Sequence, residues 1–254
     1  MFMVERLLLG TMEWLPEDWV PSVVAVDIDG TLTDEHKRLN IEAVGALRRL
    51  ESHGIPVVLA TGNVRPITYG LWRFIGLSGP ICCENGGVLW SPDWDGAVLR
   101  ATKDEARAAA DWLAERIDQL NAEGIWSNQW RESEWCLKPT EDLAAIQSAM
   151  AESRWSNLDV VRTGFAIHLM DPVISKGQGL EALAQRHAWS LDEMLVVGDA
   201  PNDLSMFAAA AWSVAVGGAF PEVAEAASVV SPFPHGETFA PLVQAIVERL
   251  EHSG

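Results

Sequence analysis

The segment Val23-Val24-Ala25-Val26-Asp27-Ile28-Asp29-Gly30-Thr31-Leu32-Thr33-Asp34 ends a short apolar run in two carboxylates two positions apart, followed by Gly-Thr. The run is β-branched and bounded by a turn, the pattern of a buried parallel strand. Residues two apart on a strand point to one side, so Asp27 and Asp29 are expected to project together from the strand's C-terminal end, where open α/β sheets place ligands. Clustered acids without a neighbouring base repel, and they coexist when a cation or a shared proton lies between them. Hard carboxylate oxygens suit Mg²⁺. One aspartate can then attack an electrophile while the other moves a proton. On these residues alone a polar turn after the strand is the plain alternative.

Later segments narrow the choice. Val57-Val58-Leu59-Ala60-Thr61-Gly62-Asn63 is a second apolar strand, ending in a small hydroxyl residue and glycine. Lys176 opens a helix-like stretch after Ile174-Ser175, and Met194-Leu195-Val196-Val197-Gly198-Asp199-Ala200-Pro201-Asn202-Asp203 is a third strand ending in acids. In this combination and order the chain resembles the haloacid dehalogenase superfamily of aspartyl phosphotransferases, over nearly its whole length from about Ser22. The resemblance implies Asp27 as the nucleophile that forms an aspartyl-phosphate and Asp29 as the general acid/base, whose backbone carbonyl also meets Mg²⁺. Thr31 supports the loop. Thr61, with the backbone N–H groups of Gly62 and Asn63, would cradle the phosphoryl oxygens. Lys176 would neutralise nucleophile and phosphoryl group, Asp199 would bind the metal, and Asn202 would position phosphate or the Thr61 loop. Asp203 is placed at the metal site, holding its waters or Lys176. Asn202 as a helix cap and Arg65 as a surface cation are the structural alternatives.

The elements that position these residues alternate. Asn40 to Ser52 has helical spacing at Ile41, Val44 and Leu47, with Asn40 as cap and Gly54 after it. Strand 55–60, helix 65–75 and strand 80–83 follow. The last third repeats the pattern with helix 176–187, strand 194–197, helix 201–209, strand 213–216, helix 221–226, a short Val229-Val230 run and helix 239–250. This is the signature of an α/β fold with a doubly wound parallel sheet. The middle differs: a helix over 103–120, strand-like runs at 124–128 and 132–137, a helix over 140–151, and strands near 158–161 and 165–170. Such an αββαββ unit forms an antiparallel sheet with helices on one face. The interval from Asp34 to Thr61 has room for one helix, and that from Thr61 to Lys176 has room for a domain. By resemblance this is a C2-type cap of the smaller subtype. The expected division is a discontinuous core, 1–87 and 171–254, around a cap, 88–170, with hinges at Gly86-Gly87 and Asp171-Pro172.

Composition excludes other classes. With 36 acidic residues against 18 lysines and arginines, the net charge is −18, which argues against nucleic-acid or anionic-membrane partners. A phosphate ester must then meet a locally reversed field, from Mg²⁺, Lys176 and Arg65. The acidic balance also points to a salt-adapted or high-GC source. No apolar run approaches the roughly 20 residues of a membrane helix. Residues 1–20, including Leu7-Leu8-Leu9, lack a cleavage pattern and read as an arm packed on the core or as a misassigned start. The three cysteines, Cys82, Cys83 and Cys136, read as small buried residues in a reducing cytoplasm, with no structural zinc site expected. Trp126, Trp130 and Trp135, among twelve tryptophans, read as core or subunit interface, or as a pocket wall.

Within the superfamily the resemblance is nearest to archaeal-type phosphoglycolate phosphatases. It rests on Ser78-Gly79-Pro80 leading to Glu84-Asn85-Gly86-Gly87, on Gly198-Asp199-x-x-Asn202-Asp203, and on Pro234-His235-Gly236-Glu237 before the last helix. It implies Mg²⁺-dependent hydrolysis of a small phosphate monoester, 2-phosphoglycolate, by a monomer or homodimer. The substrate carboxylate would need a cation, with Arg65, Arg131, Lys138, Arg162 and His168 as candidates. Mannosyl-3-phosphoglycerate and sucrose-phosphate phosphatases share the cap class and the last motif and stay as alternatives. A phosphomutase, whose fourth motif carries a longer Gly-Gly-Asn-Asp form, and a non-catalytic module on the same fold fit less well, since every catalytic position is filled.

Overall fold

The computed structural model describes residues 12–253. An eight-stranded sheet, in the order β11-β10-β9-β1-β2-β3-β4-β5, carries the molecule. Its centre is β1 (Val23–Val26), flanked by β2 (Val57–Ala60) and β9 (Met194–Gly198), all in parallel. These strands are buried on both faces, which is why they read as unbroken apolar runs rather than alternations. Val24, Val26, Val57, Leu59, Leu195 and Val197 face one layer of helices, formed by α1 (Ile41–Ser52), α2 (Arg65–Ile75) and α8 (Phe239–Ser253). Val23, Ala25, Val58, Ala60, Met194 and Val196 face the other, formed by α5 (Lys176–His187), α6 (Leu204–Ala209) and α7 (Pro221–Ala226). The parallel series continues through β10 (Trp212–Gly217) to β11 (Val229–Pro234) on one side and to β3 (Ile81–Cys83) on the other. This is the doubly wound core expected from the sequence.

The sheet extends further than the sequence reading allowed. β4 (Val88–Trp90) pairs antiparallel onto β3, and β5 (Val98–Leu99) antiparallel onto β4, so the stretch read as the start of the inserted unit belongs to the large sheet. Its patterning is that of any short strand, and only pairing shows which sheet it joins. Trp90 closes this edge against Tyr69 and Trp72 at ring distances of 5.2 and 5.1 Å.

The inserted unit is a second sheet, in the order β6-β8-β7, from β6 (Trp135–Leu137), β7 (Asp159–Arg162) and β8 (Ile167–Met170), all antiparallel. α3 (Asp104–Ala114) and α4 (Leu143–Ala151) cover one face, burying Leu113, Ile146 and Met150 against Trp135, Leu137, Ile167 and Leu169. Alternation turns Cys136 and His168 to the opposite face, toward the large sheet. Helix α3 is shorter than expected, and the strand expected over 124–128 is a 3-10 turn, Trp126–Trp130. The side-chain amide of Asn128 takes the missing strand's place: it donates to the Cys136 carbonyl at 2.7 Å and accepts from the Cys136 N–H at 3.2 Å. Helix 201–209 likewise begins as a 3-10 turn, Pro201–Asp203.

Of the N-terminal arm, Trp14 and Leu15 are buried in the core, and the Trp14 carbonyl accepts from the Trp212 indole at 2.9 Å. Leu7 to Leu9 lie outside the described residues. No described helix is long and apolar enough to cross a membrane.

Candidate active site

The three central strands end together, and their following loops converge. β1 stops at Val26, so Asp27 and Asp29 both stand on the loop beyond it. They do not act as the side-by-side pair that strand geometry implied. The Asp27 carboxylate is buried, and its Oδ1 accepts from the Lys176 ammonium at 2.6 Å. The Asp29 carboxylate turns outward, accepting from the Asn63 side-chain amide and lying 3.3 Å from Lys37 Nζ. Between them and the Asp199 loop the chain turns at Gly30, with φ +95°; a Cβ there would lie 2.4 Å from an Asp199 oxygen, so only glycine fits this approach.

Lys176 is fully buried at the first position of α5, whose N-cap is Ser175, accepting from the Gln178 N–H at 3.2 Å. A cation at a helix N-terminus is disfavoured by the helix dipole. Here it is held by two carboxylates, since its ammonium also donates to Asp203 Oδ1 at 2.6 Å. Burial opposes the charge of Lys176, but Asp203 and Asp27 outweigh it and raise its pKa above the usual lysine value. The second oxygen of Asp203 accepts from the backbone N–H groups of Asp199 and Ala200, at 2.8 and 3.0 Å. Asp203 is therefore occupied on both oxygens, the arrangement of an anchor for Lys176 and for the Asp199 loop. Thr31 donates to Asp199 Oδ1 at 2.8 Å.

Asp27, Asp199 and Asp203 bring carboxylate oxygens within 4.8 Å of one another. Burial pushes Asp27 well above the usual carboxylate range, Lys176 opposes this, and Asp203, Asp199 and Asp29 add to it. Asp199 is pushed up to about 6, by burial first and Asp203 second. Three carboxylates share one ammonium, leaving two formal negative charges, the deficit a divalent cation fills. The residues thus fit Mg²⁺ by donor type and by charge.

The third loop carries Thr61, Gly62 and Asn63. The Asn63 N–H donates to Thr61 Oγ1 at 3.0 Å, and the turn is closed onto the end of β3 by Thr61 N–H to the Cys82 carbonyl at 2.8 Å. Next to it stands the stretch Glu84-Asn85-Gly86, where Glu84 and Asn85 hold φ of 49° and 54°, conformations non-glycine residues adopt only at a cost of order 1–3 kcal/mol. The surroundings fix them. Glu84 accepts from the backbone N–H groups of Glu132 and Ser133 across to the smaller unit. Asn85 accepts from the Asn202 amide at 2.9 Å and donates to Glu134 at 3.0 Å. Asn202, expected to position phosphate or the Thr61 loop, is tied to Asn85, whose N–H donates to the Thr61 carbonyl at 3.0 Å, and its own Oδ1 is buried and unpaired.

The cations proposed for a carboxylate separate cleanly. Arg65 is bound to Glu132 at 2.8 Å, and Arg162 donates to the Glu141 carbonyl at 2.5 Å, in the smaller unit. Lys138 follows β6 in the smaller unit. Arg131 and His168 reach the core: Arg131 Nη1 donates to the Gly62 carbonyl at 3.0 Å and to Glu134, and the His168 ring packs on Gly62. His168, a candidate cation in the sequence, is fully buried, its Nδ1 3.0 Å from Glu134. Cys136 belongs to the same cluster, its Sγ 3.2 Å from His168 Nδ1. Sequence reasoning missed Glu134, Asn85 and Lys37 as partners. Asn85 was visible as part of a Gly-rich turn, whereas Glu134 and Lys37 carry no local signal.

A model of haloacid dehalogenase-like hydrolases matches residues 24–152 and 135–238. The chain belongs to this family and is a phosphoric monoester hydrolase. Among curated proteins it is similar to the phosphoglycolate phosphatase of Archaeoglobus fulgidus, 36% identical over 234 residues that cover 92% of this chain and 97% of the relative. It is similar also to that of Methanothermobacter thermautotrophicus, 36% identical over 227 residues, covering 87% and 96%. Among solved structures, Thermoplasma acidophilum 0175 superposes with a TM-score of 0.81 at 25% identity, covering 90% of this chain and 99% of that one.

Proposed function

We propose that the protein is a Mg²⁺-dependent phosphatase that hydrolyses a small phosphate monoester, 2-phosphoglycolate, to glycolate and phosphate. The carrying observation is the buried ammonium of Lys176, 2.6 Å from both Asp27 and Asp203 at the meeting of three strand ends. The names borne by relatives across nearly the whole chain support the substrate. In this reading Asp27 Oδ attacks phosphorus and the ester oxygen leaves, giving an aspartyl-phosphate. Asp29, turned to the solvent side and oriented by Asn63, gives the leaving oxygen its proton and then takes one from the water that attacks the intermediate. Thr61 and the N–H groups of Gly62 and Asn63 receive the phosphoryl oxygens, and Lys176 holds Asp27 in place. Mg²⁺, when bound by Asp27, Asp199 and the Asp29 carbonyl, supplies charge neutralisation. Asp203 fixes Lys176. The smaller unit acts as a C2-type cap, and the three free buried thiols suit a reducing cytoplasm.

Initial rates on 2-phosphoglycolate, mannosyl-3-phosphoglycerate, sucrose 6-phosphate and a nitrophenyl ester, with Mg²⁺ and with EDTA, test this. The expected result is a kcat/KM for 2-phosphoglycolate at least about tenfold above the rest, or about 1.4 kcal/mol of selective transition-state binding, abolished by EDTA. A higher value for either sugar phosphate would reassign the substrate.

A further inference from the structure

We infer that Arg131 forms a second anion subsite, one that takes the carboxylate of the substrate while the Thr61 loop takes its phosphoryl group. The inference rests on the phosphatase reading above and specifies how its substrate is chosen. Arg131 is 1% exposed, and its guanidinium is used on one side only. Nη1 donates to Glu134 and, at 3.0 Å, to the Gly62 carbonyl. Nε and Nη2 have no hydrogen-bond partner. Those two nitrogens form one edge of the planar group, the fork that binds a carboxylate through two parallel N–H bonds. A buried charged donor left empty is costly, and native proteins leave few.

The neighbours of that edge favour an external acceptor. Cys136 lies beside the guanidinium, but burial raises its thiol well above the usual range, so it stays neutral and brings no countercharge. Glu134 is ionised: burial works against this, but His168 and Arg131 outweigh it and lower its pKa. Its carboxylate is already shared among Arg131, His168 and Asn85. Glu134 and Glu84 both set carboxylates near Arg131, so the attraction of the subsite lies in two aligned, desolvated donors and not in net positive charge. The contact of Nη1 with the Gly62 carbonyl seats the guanidinium beside the Thr61 loop, with the free Nε–Nη2 edge on its other side.

The experiment compares, in the wild-type enzyme with Mg²⁺, 2-phosphoglycolate and its neutral carboxamide isostere. The expected kcat/KM ratio is at least about 100, since a site built to hydrogen-bond one group rejects the analogue lacking it. In Arg131→Lys, which keeps charge but cannot form the fork, the ratio falls at least about tenfold. Both substrates lose rate through the Gly62 contact, and the ratio is therefore what is read. Where that variant fails to fold, Cys136→Asp sets an internal acceptor beside the same guanidinium and lowers the ratio in the same way. A wild-type ratio near one, with both esters turned over, overturns the subsite and leaves the phosphatase reading standing. An unchanged ratio in a folded variant likewise overturns the assignment to Arg131. Turnover of neither ester removes the phosphatase reading and the subsite with it.

Discussion

The two buried ionic clusters lack different things. At the strand ends, Lys176 faces Asp27, Asp199 and Asp203, and the cluster is short of positive charge. Under the smaller sheet, Arg131 faces the carboxylates of Glu134 and Glu84 and so does not lack countercharge, but two guanidinium donors have no acceptor. The first is built to receive a cation and the second an anion. A small phosphorylated acid bound with Mg²⁺ would satisfy both, so each cluster's burial cost is relieved only in the loaded enzyme. The comparison teaches that an unsatisfied buried group is informative once one asks which sign or which donor is missing.

The largest effect should come from Asp27→Asn. It keeps the shape and the hydrogen bond to Lys176 but removes the attacking oxygen's charge, so kcat should fall by about 10⁴-fold with an unchanged circular dichroism spectrum. Retained turnover would end the nucleophile assignment. With turnover lost as expected, the carboxylate preference proposed for Arg131 would still be read in substrate binding.

Lys176→Met tests the charge deficit directly. It leaves Asp27 and Asp203 buried with no ammonium, so the metal-free protein should lose ~3–5 kcal/mol in urea unfolding. Mg²⁺ should restore more of this stability in the variant than it adds to the wild type. Equal stabilisation of both proteins by Mg²⁺ would show that Lys176 and the cation do not share the same carboxylates.

Glu134→Gln sharpens the other side. It removes the countercharge of Arg131 and weakens the bonds to Arg131 and His168 to neutral ones, at an expected cost of ~1–3 kcal/mol. With Arg131 freed of that countercharge, KM for 2-phosphoglycolate should change more than kcat. A fall confined to kcat would place Glu134 in the chemical step.

How much of this was legible in the sequence differs between the clusters for the same physical reason. Asp27, Lys176, Asp199 and Asp203 sit at strand ends or at a helix start, so short apolar runs and a serine cap announce them. β1, α1, α2, α5 and α7 were readable because buried parallel strands and capped helices carry their pattern locally. Arg131 and Glu134 lie in an irregular stretch before β6, and their meeting with Gly62 and Asn85 depends on how the smaller sheet seats on the large one. The missing strand at 124–128 is of this kind too. Its apolar residues permit extension, but Asn128 satisfies Cys136 with a side-chain amide, a tertiary solution that periodicity does not encode. The direction of the Asp29 side chain was not legible because β1 ends at Val26, after which alternation no longer governs where a side chain points.

The smallest effect is the pH dependence of Mg²⁺ stabilisation, and its sign follows from Asp199. Burial and Asp203 raise its pKa in the folded state from 3.8 to about 6. The folded metal-free protein therefore holds this proton where the unfolded chain has released it, and stability falls as pH rises between about 4 and 6. Mg²⁺ needs the ionised carboxylate and competes with that proton. Below about pH 5 the cation should add little to the midpoint of thermal unfolding. Above about pH 6 saturating Mg²⁺ should raise it by several degrees, in line with ~2.7 kcal/mol at a hundred times Kd. Thermal scans with Mg²⁺ and with EDTA from pH 4.5 to 7.5 measure the difference. The rise should survive in Arg131→Lys, whose donors do not touch the metal carboxylates, and collapse in Asp199→Asn. A shift of equal size at every pH would mean that the cation binds elsewhere on an acidic surface, and the charge deficit at the strand ends would need another counterion.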